Sequence, residues 1–160
     1  ALVVIATSGQ PFDEDGWHYS VTDQLVHGAT VPMVVLGPAA DIDPRIERIV
    51  VAHDPAHQQA GLAYWGARLG YLLGVPVEFV HVSSGPPPDL GPRIRVVTRA
   101  PDEMVAERLL AEAPDALLAL GSHGHLGFRK LVERSVGGAV VRAATQPLLV
   151  LGPHSGRPQG

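Results

Sequence analysis

Three glycines, Gly121, Gly124 and Gly127, punctuate the run GSHGHLG directly after the apolar stretch ALLAL. Glycines so placed let backbone N–H groups close on an anion, and the start of a following helix adds partial positive charge. The loop at 121–127 is therefore a candidate anion site, with Ser122 and His123 the side chains at hand. Asp54 ends another apolar run, just before Pro55. Taken alone it reads as a plain N-cap for the next helix. Beside a glycine loop, a ligand role is comparable and compatible with capping.

Other chemistries find no support in the spacing. Among the eight histidines, His123 and His125 alternate on a loop and His53 and His57 straddle a strand end. Neither pair has the helical spacing of metal ligands. Ser122 and His123 are adjacent, which rarely sets a hydroxyl on an imidazole, and no G-x-S-x-G elbow occurs. No Gly-Lys-Ser/Thr follows the glycines, so a Walker-type loop is missing too. No metal site and no catalytic residue is expected, and the chain reads as a non-enzyme. A formal charge of −4 leaves no basic footprint for nucleic acid. Without cysteine there are no disulfides or thiolate metal sites. Apolar runs shorter than ten residues, with no signal-like start, point to a cytoplasmic protein with no membrane partner.

The elements that position the loop follow from periodicity. Residues 116–120 read as a buried strand and the segment after the loop as an amphipathic helix. Phe128, Leu131, Val132, Val136, Ala139, Val140 and Ala143 share one face, opposite Arg129, Lys130, Glu133 and Arg142. After Pro147, Leu148–Leu151 is a continuous apolar run, as in a strand covered on both faces. Upstream, 46–53 (IERIVVAH) reads as a strand. Residues 55–74 read as a helix with Leu62, Trp65, Leu69, Leu72 and Leu73 on one stripe and Gly74 as its stop. Strands follow at 77–82 and 93–98, and a helix opens at Pro101, with Asp102 and Glu103 against its dipole, and stops at Pro114. The alternation calls for an α/β protein with a parallel sheet covered by helices on both faces. Only ten residues, 83–92 (SSGPPPDLGP), join two of these strands. Parallel crossovers usually take about a dozen or more, so an extended PPII-like strap is the favoured path.

The chain also repeats itself. Residues 1–38 laid over 116–153, at an offset of 115 and without gaps, match at 13 of 38 positions. ALVVIATSG sits over ALLALGSHG, and VPMVVLGP over QPLLVLGP. This reads as a duplicated strand–helix–strand unit. The first copy carries Asp13, Glu14 and Asp15 where an anion would sit, so its loop reads as scaffold. The expected division is a partial unit at 1–40, a linker at 41–45, a complete domain at 46–153 and a tail at 154–160.

The stretch GSHGHLGFRKLVERSVGGAVVRAATQPLLVLGP resembles the C-terminal signature of universal stress proteins, and IVVAHDPAHQQAGLAYWGARLG resembles their first strand and helix. The resemblance covers about residues 46–153, and the first repeat is similar to the last third of a second such domain, as in the tandem pairs of that family. It implies an adenine-nucleotide alpha-hydrolase-like sheet in the strand order 3-2-1-4-5, with an additional N-terminal β-α-β half-domain. It also implies a stress-response role and ATP or AMP at the carboxyl ends of strands 1 and 4. Gly121, Gly124 and Ser135, followed by Val136, fit the spacing of the nucleotide-binding members, whereas Arg134 stands where they carry glycine. Arg134 is expected to pair with phosphate, to close the pocket, or to form a surface salt bridge with the neighbours of Glu133. On the adenine side the resemblance carries over to Ala52, Asp54 and Val80, with Pro55-Ala56 in place of Gly-Ser. The competing expectation is a degenerate module that binds no nucleotide and acts through its interfaces.

An unpaired apolar strand edge is a liability. Met33, Val34, Val35 and Leu36 are therefore expected to pair antiparallel with Leu148, Leu149, Val150 and Leu151, within a chain or across a dimer. A homo-oligomer joined through these final strands is expected.

Overall fold

A computed structural model of the chain describes residues 2–6, 29–41, 43–54, 60–121, 140–141 and 143–152. Short apolar runs bounded by glycine, proline or charge form its strands: β1 Val3–Ala6, β2 Met33–Leu36, β3 Arg48–Ala52, β4 Val77–Ser83, β5 Ile94–Thr98, β6 Ala116–Gly121 and β7 Leu148–Leu151. Helix α1 spans Ala60–Leu73 and α2 spans Val105–Glu112. All seven strands join one sheet in the order β1-β2-β7-β6-β3-β4-β5. Every neighbouring pair is parallel except β2 with β7. From β3 the chain builds outward through β4 to β5, then returns to the other side of β3 for β6 and β7.

The sheet is covered on both faces because its central strands are apolar at consecutive positions. Leu148 and Val150 of β7 face the layer that holds Ala106 and Leu109 of α2 together with Val140 and Ala144. Leu149 and Leu151 face the opposite layer, which holds Leu62, Trp65 and Leu69 of α1. All four β7 side chains are buried, each contributing about 1.5–3 kcal/mol relative to exposure.

Helix α1 keeps its expected stop. Gly74 has φ +68, and the Val75 N–H donates to the Gly70 carbonyl at 3.0 Å, a left-handed C-terminal turn that favours glycine. Its buried stripe differs from expectation, since Leu72 and Leu73 are exposed. Gly66 packs on Val51, and Gly70 on Val77 and Ile49. Residues after Gly70 thus lie beyond the amino ends of β3 and β4, with no sheet beneath them.

The second helix starts at Val105, later than Pro101. The Arg99 guanidinium donates to the carbonyls of Ala100, Pro101 and Glu103, and the Glu103 N–H donates to the Ala100 carbonyl at 3.1 Å, so residues 100–103 close a turn of their own ahead of the helix. The acidic partner at the helix N-terminus is Glu107, whose carboxylate accepts the Met104 N–H at 3.0 Å; Asp102 lies in the turn before it.

Between β4 and β5 the chain crosses with no helix, and the strands still pair in parallel from Phe79↔Ile94 to Ser83↔Thr98. Two short side-chain turns shape this strap. The Ser83 hydroxyl accepts the Gly85 N–H at 3.3 Å, and the Asp89 carboxylate accepts the Gly91 N–H at 3.1 Å, where φ is +82.

The junction of β2 with β7 is nearly symmetric. Met33 pairs with Val150, Val34 with Leu149 and Val35 with Leu148. Under the offset of 115, Val34 and Leu149 are each other's counterparts, and the other two pairs exchange. The parallel pairs match as well. Val3↔Met33 through Ala6↔Leu36 corresponds residue for residue to Leu118↔Leu148 through Gly121↔Leu151. The Val3 N–H donates to the Pro32 carbonyl as Leu118 N–H donates to that of Pro147, at 3.2 and 3.1 Å. A local twofold therefore passes through the Val34–Leu149 pair, normal to the sheet. Because this pairing is made within one chain, β7 has neighbours on both sides and offers no edge to a second subunit.

Candidate functional site

Strands β3 and β6 lie side by side but continue in opposite directions across the sheet, which makes their carboxyl ends a topological switch point. Their register runs from Arg48↔Ala116 and stops at Val51↔Ala119. Beyond it β3 stays with β4, through Ala52↔Val80 and a 2.8 Å bond from the His53 N–H to the Val80 carbonyl. On the other side β6 stays with β7 as far as Gly121↔Leu151. The sheet parts between the two strand ends. Ala52, His53 and Asp54 stand on one bank, Leu120 and Gly121 on the other.

Ala52, Asp54 and Gly121 are half-buried at this opening. Val80 is sealed in the core with no exposed surface, and its carbonyl already accepts His53 N–H. Its part is to hold the end of β3. The remaining candidates, Ser122, His123, Gly124, Gly127, Arg134, Ser135 and Val136, lie outside the described residues.

One neighbour was not singled out from sequence. His81 Nδ1 lies 3.0 Å from the His53 carbonyl, and the two rings meet edge to face with centroids 6.2 Å apart. His53 thus shares the strand ends with His81, 28 residues away, the separation that also pairs Ala52 with Val80. Only the β3–β4 register could have revealed it. Among the described residues no group of three or more His, Cys, Asp or Glu could hold a metal ion.

Ion pairs gather at the other end of the strands. Glu78 lies 3.6 Å from Arg48 and 3.2 Å from Arg95, and Glu112 of α2 binds both Arg95 and Arg108. The Glu112 hydrogen bond, ahead of Glu78, raises the Arg95 pKa further above its ordinary range. This network ties α2 to the amino ends of β3, β4 and β5, away from the opening.

An open, mostly parallel sheet, covered on both faces and parted at its switch point, defines a class of α/β folds. Solved structures narrow it to the fold of the universal stress proteins. A universal stress protein of Archaeoglobus fulgidus DSM 4304 superposes with a TM-score of 0.64 at 18% identity, over 82% of this chain and 53% of that one. A protein of Pseudomonas aeruginosa UCBPP-PA14 described as a universal stress protein gives 0.60 at 14% identity, over 96% and 63%. A protein of unknown function from Pseudomonas aeruginosa PAO1 gives 0.59 at 13% identity, also over 96% and 63%. The chain thus spans between about half and under two-thirds of the structures it matches. No family model and no curated protein matches it.

Proposed function

We propose that this chain is a non-enzymatic, universal-stress-type protein of the cytoplasm that takes an adenine nucleotide, ATP or AMP, between the carboxyl ends of β3 and β6. The observation that carries the reading is the parting of these strands after Val51↔Ala119, with half-buried Ala52, Asp54 and Gly121 on its banks. Gly121 is where the glycine loop leaves β6, so its backbone donors would meet phosphate there. Asp54 supplies a carboxylate at the end of β3, suited to a ribose hydroxyl.

Isothermal titration with ATP and AMP tests this, on the chain as it stands and on Arg134→Gly. Binding by both supports the reading. Binding by the variant alone means that the arginine closes the site. No heat from either overturns nucleotide binding and favours the second reading, a module that works through its interfaces.

The organisation we infer is a partial unit at 1–40 joined by 41–45 to a complete one at 46–153. The identical registers of β1 with β2 and β6 with β7, at the sequence offset of 115, support duplication.

A further inference from the structure

Parallel strands exchange hydrogen bonds in a regular alternation, so the place where a ladder stops can be traced to single groups. On β4 the Val80 carbonyl accepts the His53 N–H, while the Ser83 carbonyl accepts the Arg99 N–H at 3.0 Å, just past β5. The main-chain groups of Val80 and Val82 therefore face β3, and those of His81 and Ser83 face β5. Continued by two residues, the register Ala52↔Val80 would set Asp54 opposite Val82. The Val82 N–H would then donate to the His53 carbonyl, and residue 55 would donate to the Val82 carbonyl.

Both halves of that rung are blocked. Residue 55 is proline and has no N–H to give. The His53 carbonyl lies 3.0 Å from His81 Nδ1 instead. A carbonyl can only accept, so Nδ1 carries the proton, and the main chain of the neighbouring strand fixes the tautomer. The edge-to-face contact of the two rings, with centroids 6.2 Å apart, holds half-buried His81 in place over the last rung. The ladder ends at Ala52↔Val80, and His53 and Asp54 lie outside β3.

We propose that His81 is a positioning residue for the opening between β3 and β6. Its Nδ1–H occupies the acceptor that the Val82 N–H would use, and so keeps Asp54 out of the ladder, on the bank opposite Gly121. Were the strand to run on, alternation would commit the Asp54 side chain to the face of Ala52, which packs against the α2 layer. Stopped at Ala52, the chain can present a carboxylate at the strand end. The consequence for binding rests on the nucleotide reading; the ladder stop does not.

The test combines amide hydrogen exchange with isothermal titration of ATP and AMP, on the full 160-residue chain. His81→Phe keeps a ring but has no donor, whereas His81→Asn carries a side-chain N–H near the place of Nδ1. In His81→Phe the Val82 amide should exchange about tenfold or more slowly than in the parent chain. Nucleotide should bind it about tenfold or more weakly, the scale of one hydrogen bond. His81→Asn should restore both. The sign is diagnostic, because a variant that merely loosened the sheet would speed exchange. If His81→Phe loses the amide protection of β6 and β7, His81→Gln, whose amide reaches past Nδ1, replaces it with the same expectations. A Val82 amide no slower without the donor, or equally slowed in His81→Asn, overturns the inference whatever the nucleotide does. Slowed exchange with unchanged nucleotide affinity overturns the positioning role. Slowed exchange with no heat from the parent chain or from Arg134→Gly overturns the nucleotide reading and supports the ladder stop.

Discussion

At Gly37 one methyl group is enough to disturb the sheet. A Cβ there would stand 2.3 Å from the carbonyl oxygen of Val141, a backbone atom that cannot rotate away. Gly37→Ala should cost about 1–3 kcal/mol, read as a lower denaturant midpoint with an unchanged m-value. Gly70 makes a sharper case, because glycine to alanine inside a helix ordinarily gains about 0.5–1 kcal/mol. Here the added Cβ would lie 2.3 Å from the Val77 Cγ2 and 3.1 Å from the Val75 oxygen. Gly70→Ala should therefore destabilise, while Ala67→Gly on the exposed face of the same helix should lose only the propensity term. A stabilised Gly70→Ala variant would show that α1 can lift off the sheet. The two glycines look alike in the sequence, since what forbids a side chain is a partner distant in the chain. Asp54 was legible because Pro55 marks the strand end beside it. His81 was not, because nothing local ties it to His53.

At the scale of the element, α2 is held by more than its apolar face. Glu112 binds Arg95 and Arg108 through its carboxylate, and its carbonyl accepts from Arg48 at 3.1 Å. Glu112→Gln should cost about 1–2 kcal/mol, the range for charged hydrogen bonds discounted for the partly exposed arginines. The pH dependence follows from sign. The folded pKa of Arg95 is raised, so its contribution is complete below the ordinary guanidinium range and fades only as pH rises through a still higher value. Chemical denaturation across neutral and mildly alkaline pH should therefore show no loss traceable to Arg95. The start of this helix was misjudged from sequence for a definite reason. Proline followed by two acids is a sound helix opening, but here residues 100–103 close a separate turn, with Glu103 N–H on the Ala100 carbonyl and Arg99 bracing it.

For the whole molecule, the decisive contact is β2 against β7. Removing residues 1–40 leaves β7 with a bare apolar edge, buried in the intact chain. The shortened protein should form an antiparallel dimer centred on Leu149, because a second copy presents the surface that β2 mimics. Analytical ultracentrifugation checks this, and a monomer that stays soluble would show that the edge needs no partner. Adding Leu149→Lys to the shortened protein should return it to monomer or unfold it, with circular dichroism telling the two apart. The alternation of strands and helices, the doubly covered sheet and the repeat at an offset of 115 were determined by the sequence alone, for they rest on local periodicity and on self-comparison. Tertiary structure decided where the sheet parts, which histidine meets His53, and that the final strands pair inside one chain. Each of these depends on register between distant segments, and register is set by packing on both faces of the sheet at once.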